Sequence, residues 1–238
     1  MPLDLGEAME RRHAVREYTD EPVGADAMDV LRAQAAACNA QSGLGIQLVE
    51  DDADAFGGCP THYGRFRGVR HAIALVGPDD PARPASLDEQ VGYYGERLAL
   101  TATALGLATS WAVLHETTEH QGRWTIGAGE RMPAAIAFGH GAREGRPHRS
   151  KPEDELGAVE HGSYAQAPAW FRAGVRAAML APSALGKQPF RLVLLADGRT
   201  VRAEALDGLQ PWIGLGIARL HFELGAGGAD FVWDRPLG

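Results

Sequence analysis

The sequence predicts an α+β fold. Three observations carry that expectation: short apolar strand candidates are interspersed with amphipathic helices, two late strands are joined through the turn dipeptide Asp197-Gly198, and neither glycine-rich segment opens a dinucleotide-type helix. Gly139-His140-Gly141 follows an apolar strand, yet the stretch after it is polar and interrupted by proline. Gly214-Leu215-Gly216 lies inside a helical pattern and lacks the third glycine.

Asp4 is a plausible N-cap for a helix over 5–12, acidic early and basic late as the helix dipole favours. A second helix is expected from about Ala25 to Asn39, with Met28, Leu31 and Ala35 on one face. Ile46–Glu50 and Arg70–Val76 read as strands, with an irregular excursion, 56–66, between them. The strongest helix runs from Ser86 to Gly106, capped by Ser86 and carrying Val91, Tyr94, Leu98, Ala102 and Leu105 at helical spacing. Ala108–Leu114 and Ala134–Phe138 follow as strands, then an arginine-rich polar loop over 139–155.

The stretch 157–168, rich in serine, glycine and alanine, is the best linker candidate, so the expected domains are 1–156 and 157–238. Beyond it come a helix over 169–180, strands Phe190–Leu195 and Thr200–Leu206, a helix from Pro211 to about Gly225, and a last strand over 229–233. An internal repeat relates the two halves. At an offset of 122, Gly92, Arg97, Leu98, Gly106 and Trp111 fall on Gly214, Arg219, Leu220, Gly228 and Trp233. At an offset of 144, Ala37, Ala40, Leu48 and Val49 fall on Ala181, Ala184, Leu192 and Val193.

Of the 238 residues 45% are hydrophobic, enough for a real core, and the formal net charge of −8 argues against a nucleic-acid or anionic-membrane surface. Cys38 and Cys59 form no CxxC or metal-like spacing, so reduced thiols in a cytoplasmic protein are expected. The chain opens directly from Met1-Pro2-Leu3 into a charged helix and has no apolar run long enough for a bilayer. It is therefore expected neither to span a membrane nor to be secreted. The histidines include no HExxH or paired i,i+4 set, and Ser183 has no GxSxG elbow, so neither a metal site nor a hydrolase is expected.

Two stretches carry chemistry. In Ala181-Pro182-Ser183-Ala184-Leu185-Gly186-Lys187-Gln188-Pro189-Phe190, Pro182 ends the preceding helix and Pro189 restricts Gln188 to an extended conformation, giving a stiff loop able to lie against a flat ligand. Near the N-terminus, Arg12-His13-Ala14-Val15-Arg16 places two guanidinium forks close together, suited to a phosphate.

Together these stretches resemble the FMN-dependent nitroreductase family, and most closely a branch in which two family-like halves are fused in one chain. In that family an RxSxR-like segment holds the FMN phosphate and an APSxxNxQPW-like loop covers the flavin ring. Here the serine is Ala14 and the loop asparagine is Gly186, and each change removes a side-chain partner of the cofactor. The resemblance implies a nitroreductase-like fold of antiparallel-rich mixed sheets around packed central helices, arranged as an internal pseudo-dimer. It implies FMN contacts from Arg12, His13, Ala14 and Arg16, from the Val113 and Leu114 amides at the flavin N5 edge, from Arg149 and Lys151, and from Pro182, Ser183, Ala184, Gly186 and Gln188. No general acid or base announces itself, as expected where the flavin carries the hydride chemistry.

The implied activity is ping-pong transfer from NAD(P)H through FMN to a nitroaromatic, a quinone or another electron-poor small molecule. The alternative is a degenerate relative that binds flavin or another planar ligand without turnover. The first copy of the repeat lacks the covering loop and the second lacks the arginine pair, so a monomer with one cofactor site is expected.

Overall fold

The computed structural model describes residues 4–83, 85–147 and 149–237; the reading of Met1, Pro2 and Leu3 lies outside them. The chain falls into two compact units. One takes the residues up to Asp80 together with Arg97–Pro147, and the other takes Pro81–Glu96 together with the chain from Arg149 on.

In the first unit, α1 (Leu5–Arg11) starts at a capping box: Asp4 accepts from the Glu7 amide and Glu7 reaches back to the Asp4 amide. The second helix, α2 (Ala25–Ser42), buries Met28, Leu31, Ala35, Cys38 and Ser42. It runs three residues past the expected Asn39 because its stop signal is Gly43, left-handed at φ 69°. A four-stranded antiparallel sheet follows, in the order β1 (Gln47–Val49), β2 (His71–Pro78), β4 (Glu130–Gly139), β3 (Ala108–Ala112). The β2–β4 register slips between Leu75↔Ala134 and Gly77↔Arg131, so that one β2 residue faces two of β4. Pro133 is one of the two, and a proline cannot donate to the ladder. The excursion over 56–66 is anchored in the core at its start: Phe56 and Cys59 join Val49, Ala72, Ala74, Ala112, Trp124, Ala135 and Ala137 in one core cluster.

The long helix α3 (Leu87–Ala104) is divided between the units at Glu96/Arg97. Ser86 caps it, accepting from the Glu89 amide at 3.3 Å. In the second unit a short α4 (Glu153–Leu156) leads into β5 (Gly157–Val159), which pairs in parallel with β6 (Phe190–Leu194). This corrects the expected linker. Gly157 is a packing residue, since a Cβ there would lie 2.5 Å from Tyr164 and 2.9 Å from Val175, and its lack of a side chain reflects that crowding. The hairpin at Asp197-Gly198 joins β6 to β7 (Thr200–Ala205), and β8 (Val232–Trp233) completes the order β5-β6-β7-β8.

Helices α5 (Ala169–Ala178) and α6 (Pro211–Gly225) cross at small residues. A Cβ on Gly174 would meet the Phe222 ring at 2.6 Å, and one on Gly225 would meet Ala177 at 2.4 Å. The Leu87–Glu96 portion of α3 also packs on α6. There Gly92 faces the Ile213 carbonyl and Gly216 faces the Glu89 carbonyl, at virtual Cβ distances of 2.2 and 1.9 Å. The turn after each helix carries a left-handed glycine, Gly106 at φ 84° and Gly228 at φ 76°, and each turn leads to a strand bearing tryptophan, Trp111 and Trp233. Among the described residues no helix is long and apolar enough to cross a membrane, and Cys38 and Cys59 are free and buried.

Candidate functional site

The arginine segment of the first unit is extended because other strands claim its backbone. Arg12 closes α1 by donating its amide to the Ala8 carbonyl, and the chain then leaves the helix at φ −67°, ψ 112°. Ala14 bridges Thr109 of β3 in parallel, and the Val15 amide donates to the Thr109 carbonyl at 3.0 Å. Further along, the Arg67 amide donates to the Arg16 carbonyl and the Tyr18 amide to the Arg67 carbonyl. The buried Tyr18 hydroxyl lies 2.7 Å from the Val15 carbonyl and 3.0 Å from that of Ala137, and burial pushes its pKa well up. Gly145 runs so close to His13 that a Cβ would lie 2.5 Å from the histidine Cβ.

The result is a fixed backbone with differently placed side chains. Arg12 is 3% exposed, His13 is half-buried, and Ala14 and Arg16 are exposed. The Arg16 guanidinium lies over the Phe66 ring at 5.9 Å, and among the described residues no carboxylate pairs with it.

The strand that anchors Ala14 also carries Val113 and Leu114, just past its end, so these two expected groups share one strand. Their surroundings include the irregular excursion over 56–66. Thr61 bridges Leu114 in antiparallel fashion, the His62 amide donates to the Val113 carbonyl at 2.9 Å, and the His115 amide donates to the Pro60 carbonyl at 3.0 Å. The excursion then reaches Arg16: a Cβ on Gly64, at φ 85°, would lie 2.8 Å from the arginine Nε. Tyr63 sits in the same turn, its pKa raised by burial against the opposing field of Arg16. The run Thr61-His62-Tyr63-Gly64, polar and aromatic with a turn glycine, was the available signal.

In the second unit the loop after α5 is held by Gln188. This residue is 1% exposed, and its side chain is spent on backbone: Nε2 donates to Met179 O at 2.8 Å and reaches Ala181 O at 3.3 Å, while Oε1 accepts from the Lys151 amide at 2.8 Å. Its own amide donates to Ser183 Oγ at 2.8 Å. The expected extended conformation is not found. Gln188 stands at φ 43°, left-handed, and these four bonds hold it there despite the preference imposed by Pro189. Ser150 Oγ donates to Met179 O at 2.6 Å, so the 149–151 stretch and the 182–188 loop form one local structure.

Pro182 and Ser183 are half-buried, Ala184 is buried, and Gly186 is exposed at φ 66° with open space where a Cβ would stand. Helix α5 stops at Ala178, ahead of the expected end, and a turn over 179–181 precedes Pro182. Arg149 is exposed and Lys151 half-buried.

These donors fit a flavin mononucleotide in kind. Arg16 is an exposed cation that, among the described residues, has no carboxylate partner, as a phosphate site needs, and the 182–188 loop offers a small, shape-held surface.

Comparison with known proteins agrees with the fold. The family model described as "Putative TM nitroreductase" matches residues 4–226. A solved structure described as a nitroreductase of Thermotoga maritima is 20% identical and superposes with a TM-score of 0.60, over 94% of this chain and 84% of that one. One of Bacteroides thetaiotaomicron, described as an NADH dehydrogenase/NAD(P)H nitroreductase, is 16% identical with a TM-score of 0.51, over 69% and 100%. A Desulfovibrio desulfuricans nitroreductase solved in complex with FMN is 24% identical with a TM-score of 0.48, over 66% and 96%. No curated protein matches the chain. With nearly its whole length matched by the family model, and with its α+β fold shared with the Thermotoga maritima structure, the chain belongs to the nitroreductase family.

Proposed function

We propose that this protein is an FMN-dependent oxidoreductase that takes a hydride from NAD(P)H and delivers electrons to a nitroaromatic, a quinone or a similar electron-poor molecule by a ping-pong route. The observation that carries the reading is the Ala14–Thr109 bridge, which ties the arginine segment to the strand that leads into Val113 and Leu114. When bound, FMN supplies the hydride chemistry. In the first unit, Arg12 and Arg16 neutralise the phosphate, His13 and Ala14 line it, and Val113 and Leu114 present backbone to the ring edge. In the second unit, Arg149 and Lys151 add positive charge, and Pro182, Ser183, Ala184 and Gly186 are flavin contacts. Gln188 serves that loop from within, as its shape-keeper.

The protein works as a cytoplasmic monomer with one FMN per chain, each half of the repeat retaining only one of the two motifs. Purified protein should be yellow, bind FMN on titration, and oxidise NAD(P)H only with an acceptor present. A colourless protein that takes up no FMN would refute the reading. Light scattering combined with the titration checks the stoichiometry; two FMN per chain would refute the single site. A second reading, flavin binding without turnover, is favoured by Ala14 and Gly186, where side-chain partners are missing. It predicts FMN uptake without NAD(P)H oxidation.

A further inference from the structure

His62 and His115 are far apart in sequence, yet the Thr61–Leu114 bridge sets their backbones side by side and their rings meet. His115 Nε2 lies 2.7 Å from His62 Nδ1, with ring centroids 4.7 Å apart and both residues exposed. At that distance one nitrogen donates and the other accepts, so each ring keeps one outer nitrogen, His62 Nε2 and His115 Nδ1. Imidazole is the side chain that ordinarily exchanges protons near neutral pH, and two rings joined by N–H···N can pass a proton along. The other ionisable groups on the two segments include Cys59, its thiol pushed up by burial and by Glu116; Tyr63, pushed up by burial; Arg65; and Glu116, whose Oε1 accepts from the Gly122 amide at 3.2 Å. Arg16 is the cation closest to Tyr63 in effect.

We propose that the His62–His115 pair is a proton relay to the electron acceptor. The inference rests on the flavin reading above, which puts the reacting ring edge at Val113 and Leu114, the residues preceding His115. Reduction of a quinone by NAD(P)H consumes one hydride and one proton: NAD(P)H is oxidised to NAD(P)+ and the quinone is reduced to the hydroquinone. The hydride donor does not supply that second hydrogen. In the relay, a solvent proton bonds to the outer nitrogen of one ring. The inner N–H of that ring breaks as a new N–H forms on the facing nitrogen. The outer N–H of the second ring then breaks, and its proton passes to the quinone oxygen as the O–H bond forms.

His62→Asn and His115→Asn test this, because both leave the backbone bridge available. In the variants the quinone-reducing step should slow by about 10²-fold, while FMN affinity and the NAD(P)H-oxidising step stay as in the native protein, and added imidazole should restore the rate. A second readout needs no flavin. In flavin-free protein 15N spectra of the two rings should show a through-hydrogen-bond coupling between His62 Nδ1 and His115 Nε2 that is absent in either variant. A quinone step unchanged in both variants, with FMN bound normally, overturns the relay and leaves the flavin reading standing. Absence of that coupling in the native protein also overturns it. A native protein that binds no FMN overturns the flavin reading, and the relay falls with it.

Discussion

Glu89 of α3 and Arg219 of α6 form an ion pair at 2.7 Å in which neither side chain is more than 1% exposed. Arg235 completes the arrangement: its Nη1 lies 2.7 Å from the second Glu89 oxygen, and its carbonyl accepts from Arg219 Nη2 at 3.0 Å. The Arg219 guanidinium also lies over the Trp233 ring at 4.5 Å. Charges taken out of water need such multiple partners to be tolerated.

Removing one partner should therefore cost far more than a surface charge would. Arg219→Met leaves the Glu89 carboxylate short of a partner in the core, and a loss of about 3 to 5 kcal/mol is expected. Replacing Glu89 as well should recover part of it. Urea unfolding of the two single variants and the double variant measures the coupling, and additive losses would show that the pair is not a unit.

The same helix contact depends on glycine. Gly216→Ala would drive a methyl to 1.9 Å from the Glu89 carbonyl, a backbone group that cannot rotate away. A loss of about 1 to 3 kcal/mol is expected from overpacking. Gly24→Ala is the control, since nothing lies within 4 Å of its Cβ position and Gly24 has φ −61°. Thermal melts should separate the two clearly.

Arg12→Ala or Arg16→Ala should weaken FMN binding by about 1.5 to 3 kcal/mol, one to two decades in affinity, as expected for a lost charge-assisted contact. Gly186→Asn should act in the opposite sense, by about 1 kcal/mol. Asparagine is among the residues that tolerate φ 66° best, and open space surrounds the new side chain. Fluorescence titration of flavin reads both; equal affinities across the series would reject both assignments.

Asp197 gives a pH prediction. The Thr200 hydroxyl, the Thr200 amide and the Arg199 amide all donate to its carboxylate, lowering its pKa from 3.8 to about 2. A depressed carboxylate stabilises the fold above its unfolded pKa, and that contribution fades as pH falls toward the folded value. Asp197→Ala should therefore be less stable than native protein at pH 7, with the difference shrinking between about pH 4 and pH 2. A difference constant across that window would show that the carboxylate charge is not involved.

Some of the site could be read directly and some could not. Arg12, Arg16 and the 181–190 loop stand out because guanidinium pairs and proline-bounded turns are local chemistry. The His62–His115 contact does not, since it exists only because Thr61 pairs with Leu114 across two separate stretches. Gln188 was legible as a loop residue but not as its internal brace; its left-handed backbone depends on partners at Met179, Ala181 and Lys151.

The amino-acid order by itself determined the alternation of helices and strands, the Asp4 cap, the hairpin at Asp197-Gly198 and the recurrence of a helix, a glycine and a tryptophan strand, because each depends on neighbours within a few turns of chain. Tertiary structure decided the rest. Gly157–Val159 has the composition of a linker and becomes a strand only because β6 offers it a parallel edge. Glu89 and Arg219 have the look of solvated helix charges, and they are buried because glycines let α3 and α6 approach until no water fits between them.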